Sequence, residues 1–319
     1  MSSAKPNSVH IAIAAKGESD LSRCLEALSQ KHNLNMTVVV HIAHDQDLDI
    51  SNILQSDSRF LQLACPDQSD NLDDTSRIII KTTRCPESTS ILKLWGIALA
   101  DASAQYVAVI DGNCPPSNDW LSTVAINIEK AIPVFYGSVE PGWPLTCSHN
   151  IGYLIEYAQF KSPVECDSEF PGNNIVFKTT LLESRQTLIN AGFFKTFMLW
   201  KLKQTHNSSP IYCTNMPVIY NKKFNFRHYI KRRKEHGRCF AGCRHKQDNQ
   251  PPKWACILFT PLLFLLRTLR IYNWLKPKPQ LFKAFLRFLP IIISSEIAWS
   301  YGEFLGYSFG EKDACRYLD

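Results

Sequence analysis

Short apolar runs rich in β-branched residues alternate with amphipathic stretches along the first two thirds of the chain. Ser8–Ala15 (SVHIAIAA), Met36–Ala43 (MTVVVHIA) and Tyr106–Ile110 (YVAVI) end in polar turns, the pattern of strands buried on both faces. Phe60–Ala64 and Ile78–Lys81 read as two further short strands, with a polar loop over 65–77 between them. Asp20–Lys31 puts Leu21, Cys24, Leu25 and Leu28 on one helical face, and Ser88–Ala102 predicts a second helix. Strands alternating with helices predict an α/β fold, a mostly parallel Rossmann-like sheet with right-handed crossovers.

The strand at Tyr106 stops abruptly at Asp111-Gly112-Asn113. Pro115-Pro116 turn the chain outward, and Ser117 is expected to cap a helix from Trp120 to about Lys130. A strand over Pro133–Val139 and an apolar helical segment over Asn150–Phe160 follow. Gly172-Asn173-Asn174 then deliver two amides to the start of a strand at Ile175–Phe177. Helices are expected over Thr179–Ala191 and Phe193–His206, and a strand over Ile211–Tyr220.

The last third changes character. A basic helix, Arg227–Arg244, precedes apolar stretches at Trp254–Leu266 and Leu281–Phe309, joined through Lys276-Pro277-Lys278-Pro279. The first stretch is shorter than the roughly 20 residues of a perpendicular span. Extending it to Trp274 requires Arg267 and Arg270 to snorkel. The second contains Lys283, Arg287, Glu296 and Glu303. The pattern predicts a hairpin lying in, or partly crossing, a membrane interface, with two true spans and a soluble helical cap as the alternatives. The expected organisation is one α/β domain over 8–225, a basic helix and linker over 226–250, and the apolar hairpin over 251–310.

With 319 residues, 45% of them hydrophobic, the chain can bury one large core and still carry an appendage. Its net charge of +6 is too modest to argue for nucleic acid. The placement of that charge is more telling, because nine Lys and Arg residues between Lys222 and Arg244 crowd just ahead of the apolar tail. Basic residues beside apolar helices mark the cytoplasmic face of a membrane. Eleven cysteines without a repeating framework read as reduced thiols in a cytosolic compartment. MSSAKPNS has no apolar signal-peptide core.

Chemistry converges on Asp111. A carboxylate at the end of a buried strand must face a crevice, and in open α/β sheets ligands bind in that crevice. A zinc set drawn from His236, Cys239, Cys243 and His245 is not adopted, because three residues separate the two cysteines within a helical pattern instead of a knuckle.

In order and spacing these pieces resemble glycosyltransferase family 2, inverting enzymes of the GT-A fold, and within it bacterial members with a membrane-associated helical tail. YVAVIDGNCPPSNDWL is similar to that family's strand, acidic metal motif and Pro-Asp-Trp-Leu continuation. FPGNNIVFKTTLLE resembles its Gly-Asn element, and the tail ending GEFLGYSFG resembles its C-terminus. The resemblance implies transfer of a sugar from a UDP- or GDP-type nucleotide sugar to a lipid-linked or cell-envelope glycan, at the cytoplasmic face of the inner membrane. It implies Mg2+ or Mn2+ at Asp111 and Asn113, with nucleotide and diphosphate contacts from Glu18, Asp45, Lys93, His236 and Arg238, and Asn173 and Asn174 on the acceptor side. The chain departs from the family twice: Asn113 stands where a second carboxylate is usual, and no acid occurs between Glu183 and Glu235. Glu156, Asp167 and Glu169 are the replacement candidates for the general base; Glu156 lies on an apolar helix, where burial raises a carboxyl pKa, and a buried structural pair with a Lys or Arg is the alternative reading of it. The departures also motivate a second reading, a catalytically degenerate GT-A protein that binds a nucleotide sugar or supports a partner enzyme at the membrane.

Overall fold

The computed structural model describes residues 7–17, 20–29, 36–58, 60, 78–164, 169–205, 209–247 and 250–318. The chain forms two compact units. One comprises Met1–Glu140 with Ser162–Tyr220, the other Pro141–Lys161 with Asn221–Asp319. The segment 141–161, assigned from sequence to the α/β domain, therefore belongs with the C-terminal helices.

The first unit is an α/β structure around a seven-stranded sheet. Its strands are β1 (Asn7–Ala15), β2 (Met36–His44), β3 (Ile78–Arg84), β4 (Tyr106–Asp111), β5 (Val134–Pro141), β6 (Asn174–Lys178) and β7 (Ile211–Tyr220), in the order β3-β2-β1-β4-β6-β5-β7. β3, β2, β1 and β4 run parallel, whereas β6 is antiparallel to β4 and to β5. The sheet is thus mixed. All of β4 and residues Val9–Ala15 of β1 are buried, which explains their unbroken apolar character.

Helices α1 (Leu21–Leu28), α2 (Ile50–Gln55), α3 (Ile91–Ala100), α4 (Trp120–Glu129), α6 (Arg185–Ala191) and α7 (Lys195–Thr205) flank the sheet. α3 is tied to it by polar contacts made within the core. The Trp95 indole N–H donates to the Ile110 carbonyl at 2.9 Å, and His10 Nε2 bonds the Ala98 carbonyl at 2.7 Å. These bonds satisfy groups that would otherwise be costly to bury.

Three local expectations change. Phe60 lies in a helical turn instead of a strand; Leu61–Ala64, and the polar loop after them, lie outside the described residues. Ser117 does not cap α4 with its hydroxyl, which is buried without a partner among the described residues. Its backbone is held by β7 instead: Ser117 N–H donates to the Pro217 carbonyl at 3.0 Å, and Ile219 N–H to Pro115 at 3.0 Å. The helix expected over Thr179–Ala191 breaks into a 3-10 turn at Thr179–Leu181 and then α6.

The second unit packs α5 (Ile151–Glu156), α8 (Phe226–Arg244), α9 (Lys253–Leu275) and α10 (Pro279–Phe309). α10 lies along both α8 and α9. Its crossing with α8 is close enough for backbones to touch. A Cβ on Gly302 would stand 2.0 Å from the Lys234 carbonyl oxygen, and one on Gly237 2.3 Å from that of Trp299. Among the described residues α9 is the one helix long and apolar enough to cross a membrane by length and composition.

Arg267 of α9 does not snorkel. It pairs with the buried Glu296 of α10, and its guanidinium sits 4.3 Å from the Trp299 ring centroid. Arg233 of α8 reaches the same carboxylate at 2.7 Å and the same ring at 4.3 Å. Glu296 is therefore an internal counter-charge, and the buried Glu303 accepts from the Trp299 indole N–H, so neither breaks a lipid-facing surface. Cysteine usage also differs from the expected thiols, because Cys239 and Cys315 are joined as a disulfide.

Candidate functional site

Within the parallel part of the sheet, β2 lies on one side of β1 and β4 on the other. The crevice at the carboxyl ends of β1 and β4 is the topological switch point. The register pairs Ala14 with Asp111 and Ala15 with His44, so Asp111 and Asp45 end the two strands that flank β1. Gly17 follows β1 with φ 49°, a left-handed turn that suits glycine, and its N–H donates to Asp45 Oδ1 at 3.2 Å. The His44 ring Nδ1 bonds the Asp45 carbonyl at 2.8 Å.

Asp111 is only 8% exposed. Its Oδ1 accepts from the Asn113 backbone N–H at 2.8 Å and from the Asn113 side-chain amide at 3.3 Å. Among the described residues no hydrogen bond reaches its Oδ2. The turn is pressed against β1: Gly112 N–H donates to the Ala14 carbonyl at 2.9 Å, and a Cβ on Gly112 would stand 3.0 Å from that of Ala15. The carboxylate is thus held by a backbone with little room to relax.

β6 enters from the other side. Ile110 pairs with Asn174, which brings Asn173 to the same sheet end as Asp111. The two asparagines differ in role. Asn174 is fully committed: it accepts from the Trp120 indole N–H at 2.9 Å and donates to the carbonyls of Ser138 at 2.9 Å and Met216 at 2.7 Å. Asn173 donates to Cys114 Sγ at 3.0 Å, while its buried Oδ1 has no partner among the described residues. An orphaned buried carbonyl at the same sheet end as a carboxylate with one uncommitted oxygen suits a hard, oxygen-seeking cation.

Lys93 lies in the first turn of α3, whose N-terminus is capped by Ser90 Oγ at 3.3 Å from the Lys93 N–H. α3 follows β3 and so begins at the carboxyl edge of the sheet. Glu169 is half-buried, ahead of Asn173. Glu18 and Asp167 lie outside the described residues.

The remaining candidates belong to the second unit. Glu156 Oε1 accepts from Arg232 at 2.8 Å and from the Tyr229 hydroxyl at 3.0 Å, with Arg233 at 3.5 Å. Burial alone would raise this carboxyl, but Arg232 and Arg233, with His236 and Tyr229, hold it down at about 2. Of the two readings of Glu156, the buried pair with arginine is present, and the two arginines reverse the rise that burial alone would give. His236 packs on Trp299, ring centroids 4.6 Å apart. Burial lowers it to about 3, against the pull of Glu156 and with the help of Arg233 and Arg232. Arg238 donates from Nε to the Gly310 carbonyl at 3.1 Å.

One feature escaped the sequence: Gly17 as the partner of Asp45, which had a local signal, a glycine directly after a predicted strand. A pairing of Glu156 with a basic residue was open from sequence, but which arginines make it was not.

No protein-family model matches the chain. No curated protein matches it either. Solved structures similar to it include the mannosyltransferase PcManGT from Pyrobaculum calidifontis in complex with GDP-Man and Mn2+, at 13% identity and TM-score 0.47, covering 96% of this chain and 88% of that one. S. aureus TarS 1–349, in two structures, one of them in complex with UDP-GlcNAc, matches at 12% identity and TM-score 0.44, covering 95% of this chain and 92% of that one. Likeness at these values assigns no chemistry to this chain.

Proposed function

We propose that the chain is a GT-A glycosyltransferase that binds a nucleotide-diphosphate sugar at the carboxyl edge of β2, β1 and β4. It passes the sugar, with inversion, to a glycan or lipid-linked acceptor at the cytoplasmic face of the cell membrane. The observation that carries this reading is Asp111 at the switch point, one oxygen fixed by Asn113 and the other uncommitted among the described residues.

The donor set fits the cation. Asp111 Oδ2 and the Asn113 and Asn173 amide oxygens are hard ligands of the kind Mg2+ or Mn2+ takes, and Asp111 with Asn113 would hold it. When bound, the cation offsets the negative charge that grows on the departing diphosphate. Asp45, whose Oδ1 accepts from the Gly17 N–H, would accept from the ribose or base, and Lys93 would meet phosphate. The acceptor hydroxyl oxygen bonds to the anomeric carbon as the bond to the diphosphate breaks, its electron pair leaving with the diphosphate. The hydroxyl proton goes to a carboxylate. Glu169, in the same unit as Asp111, fits this role better than Glu156, which already neutralises two arginines and takes up a proton poorly at neutral pH. Asp167 is the neighbouring alternative.

The apolar face of α9 supports the membrane assignment. Trp254, Leu258, Phe259, Leu262, Leu266 and Leu269 are all more than half exposed. Basic side chains at Lys253, Arg270 and Lys276 flank them, as expected for a helix at an anionic interface.

The clasp on Glu156 and the missing acids after Glu183 favour a second reading, a GT-A protein that binds a nucleotide sugar without turning it over. The full chain in detergent, offered UDP- and GDP-sugars with lipid-linked and glycan acceptors, with and without Mn2+, separates the two. Release of free nucleoside diphosphate supports transfer. Donor binding with no release for any pair supports the second reading, and absence of any binding overturns both.

A further inference from the structure

The C-terminal segment after Gly310 folds back onto α8. A Cβ on Gly242 would stand 2.5 Å from the Glu311 nitrogen and 2.7 Å from its Oε2, so residue 242 must lack a side chain for the two to meet. This contact brings Cys315, on a 3-10 turn at Ala314–Tyr317, against Cys239 and Cys243 of α8. The three Sγ atoms lie within 4.8 Å of one another, and Cys243 Sγ is 3.9 Å from Cys315 Sγ. Cys239 and Cys243 are one helical turn apart, so their sulfurs project from the same face of α8. Cys239 is buried, whereas Cys243 and Cys315 are half-exposed, leaving the cluster open to solvent on one side.

Sulfurs bound to one tetrahedral Zn2+ at about 2.3 Å stand a little under 4 Å apart. The Cys243–Cys315 separation already meets that spacing. In a reducing compartment the disulfide between Cys239 and Cys315 does not persist, and the same packing then presents three thiols. An oxygen donor stands beside them in Glu311, whose carboxylate pairs with Lys246 and reaches the backbone at Gly242.

We propose that in the reduced protein Cys239, Cys243 and Cys315 bind one Zn2+ as thiolates and clip the C-terminal segment to α8. Each thiol gives up its proton to solvent as its sulfur coordinates, and the fourth position takes Glu311 or water. The site lies apart from Asp111 and Asn113 in sequence and in donor chemistry: sulfur selects zinc, whereas the oxygen set selects Mg2+ or Mn2+. It is also independent of the glycosyltransferase reading.

The test uses the full chain, purified in detergent with a phosphine reductant from cells grown with zinc. Elemental analysis is expected to find one zinc ion per chain. Cobalt substitution is expected to give thiolate-to-metal charge-transfer absorption in the near ultraviolet. Cys243→Ser and Cys315→Ser should each lose the metal and the absorption, while Cys147→Ser, outside the cluster, keeps both. Cys239→Ser can fail to fold because Cys239 is buried, so Cys243→Ser decides. Glu311→Gln should leave zinc bound if water fills the fourth position, and weaken it if Glu311 does. Absence of zinc from the reduced wild-type chain, with the three thiols reacting freely with a thiol reagent, overturns the proposal. So does zinc retained unchanged in Cys243→Ser and Cys315→Ser, which would place it elsewhere.

Discussion

Asp111 Oδ1 takes two hydrogen bonds from one residue, the backbone N–H and the side-chain amide of Asn113. Asn113 therefore acts as the clamp that orients the carboxylate, as well as standing where a second acid is usual. Asp111→Ala should remove Mn2+-dependent binding of a nucleoside diphosphate. Asn113→Ala should weaken it by roughly tenfold, about 1.4 kcal/mol. Asn113→Asp adds an anionic ligand and should tighten Mn2+ in the presence of nucleotide. Isothermal titration with and without Mn2+ measures all three, and equal affinities across the set would remove Asp111 from the site.

Asn174 and Asn173, adjacent in sequence, should respond in opposite ways. Asn174→Ala leaves the Trp120 N–H and the Ser138 and Met216 carbonyls without their partner. Buried groups stranded in this way cost about 1–3 kcal/mol each, so the variant should lose much of the fold's stability. Asn173→Ala gives up a single bond to sulfur and should stay folded while losing metal or acceptor affinity. Denaturant titration beside a binding assay checks the split.

Glu156 should behave as a structural counter-charge with an acid-side signature. Its folded pKa of about 2 lies below the ordinary 4.5 of an unfolded chain. Its stabilising contribution is therefore fully present above 4.5 and lost as pH falls from there toward 2. Glu156→Gln should destabilise the second unit at pH 7 by about 3 kcal/mol, since it strips buried arginines of a partner. The variant's melting temperature should also fall less steeply between pH 5 and 3 than that of the wild type. A catalytic base would show the reverse, unchanged melting with lost turnover.

The exposed row on α9 predicts lipid binding of two kinds. Leu262→Glu with Leu266→Glu should abolish cosedimentation with vesicles, because both side chains are more than half exposed in the fold and their loss costs only the lipid contact. Binding to anionic vesicles should exceed binding to neutral ones and weaken as salt rises. Salt-independent binding equal for both compositions would assign the row to another protein surface.

Much of this architecture was legible residue by residue. The β-branched runs of β1, β2 and β4 read as buried strands, and the abrupt stop at Asp111 marked the carboxyl end of the last of them. The apolar tail and its basic approach were equally plain, because hydrophobicity and charge are written position by position. What tertiary structure alone decided are the pairings: β6 antiparallel beside β4, Arg233 and Arg267 on Glu296, Arg232 on Glu156, and Cys315 on α8. Each joins residues far apart in the chain, and no local period encodes which distant charge or strand will arrive. Glu156 shows the consequence: its own neighbours in sequence argue for a raised pKa, and two arginines some seventy residues away reverse the sign.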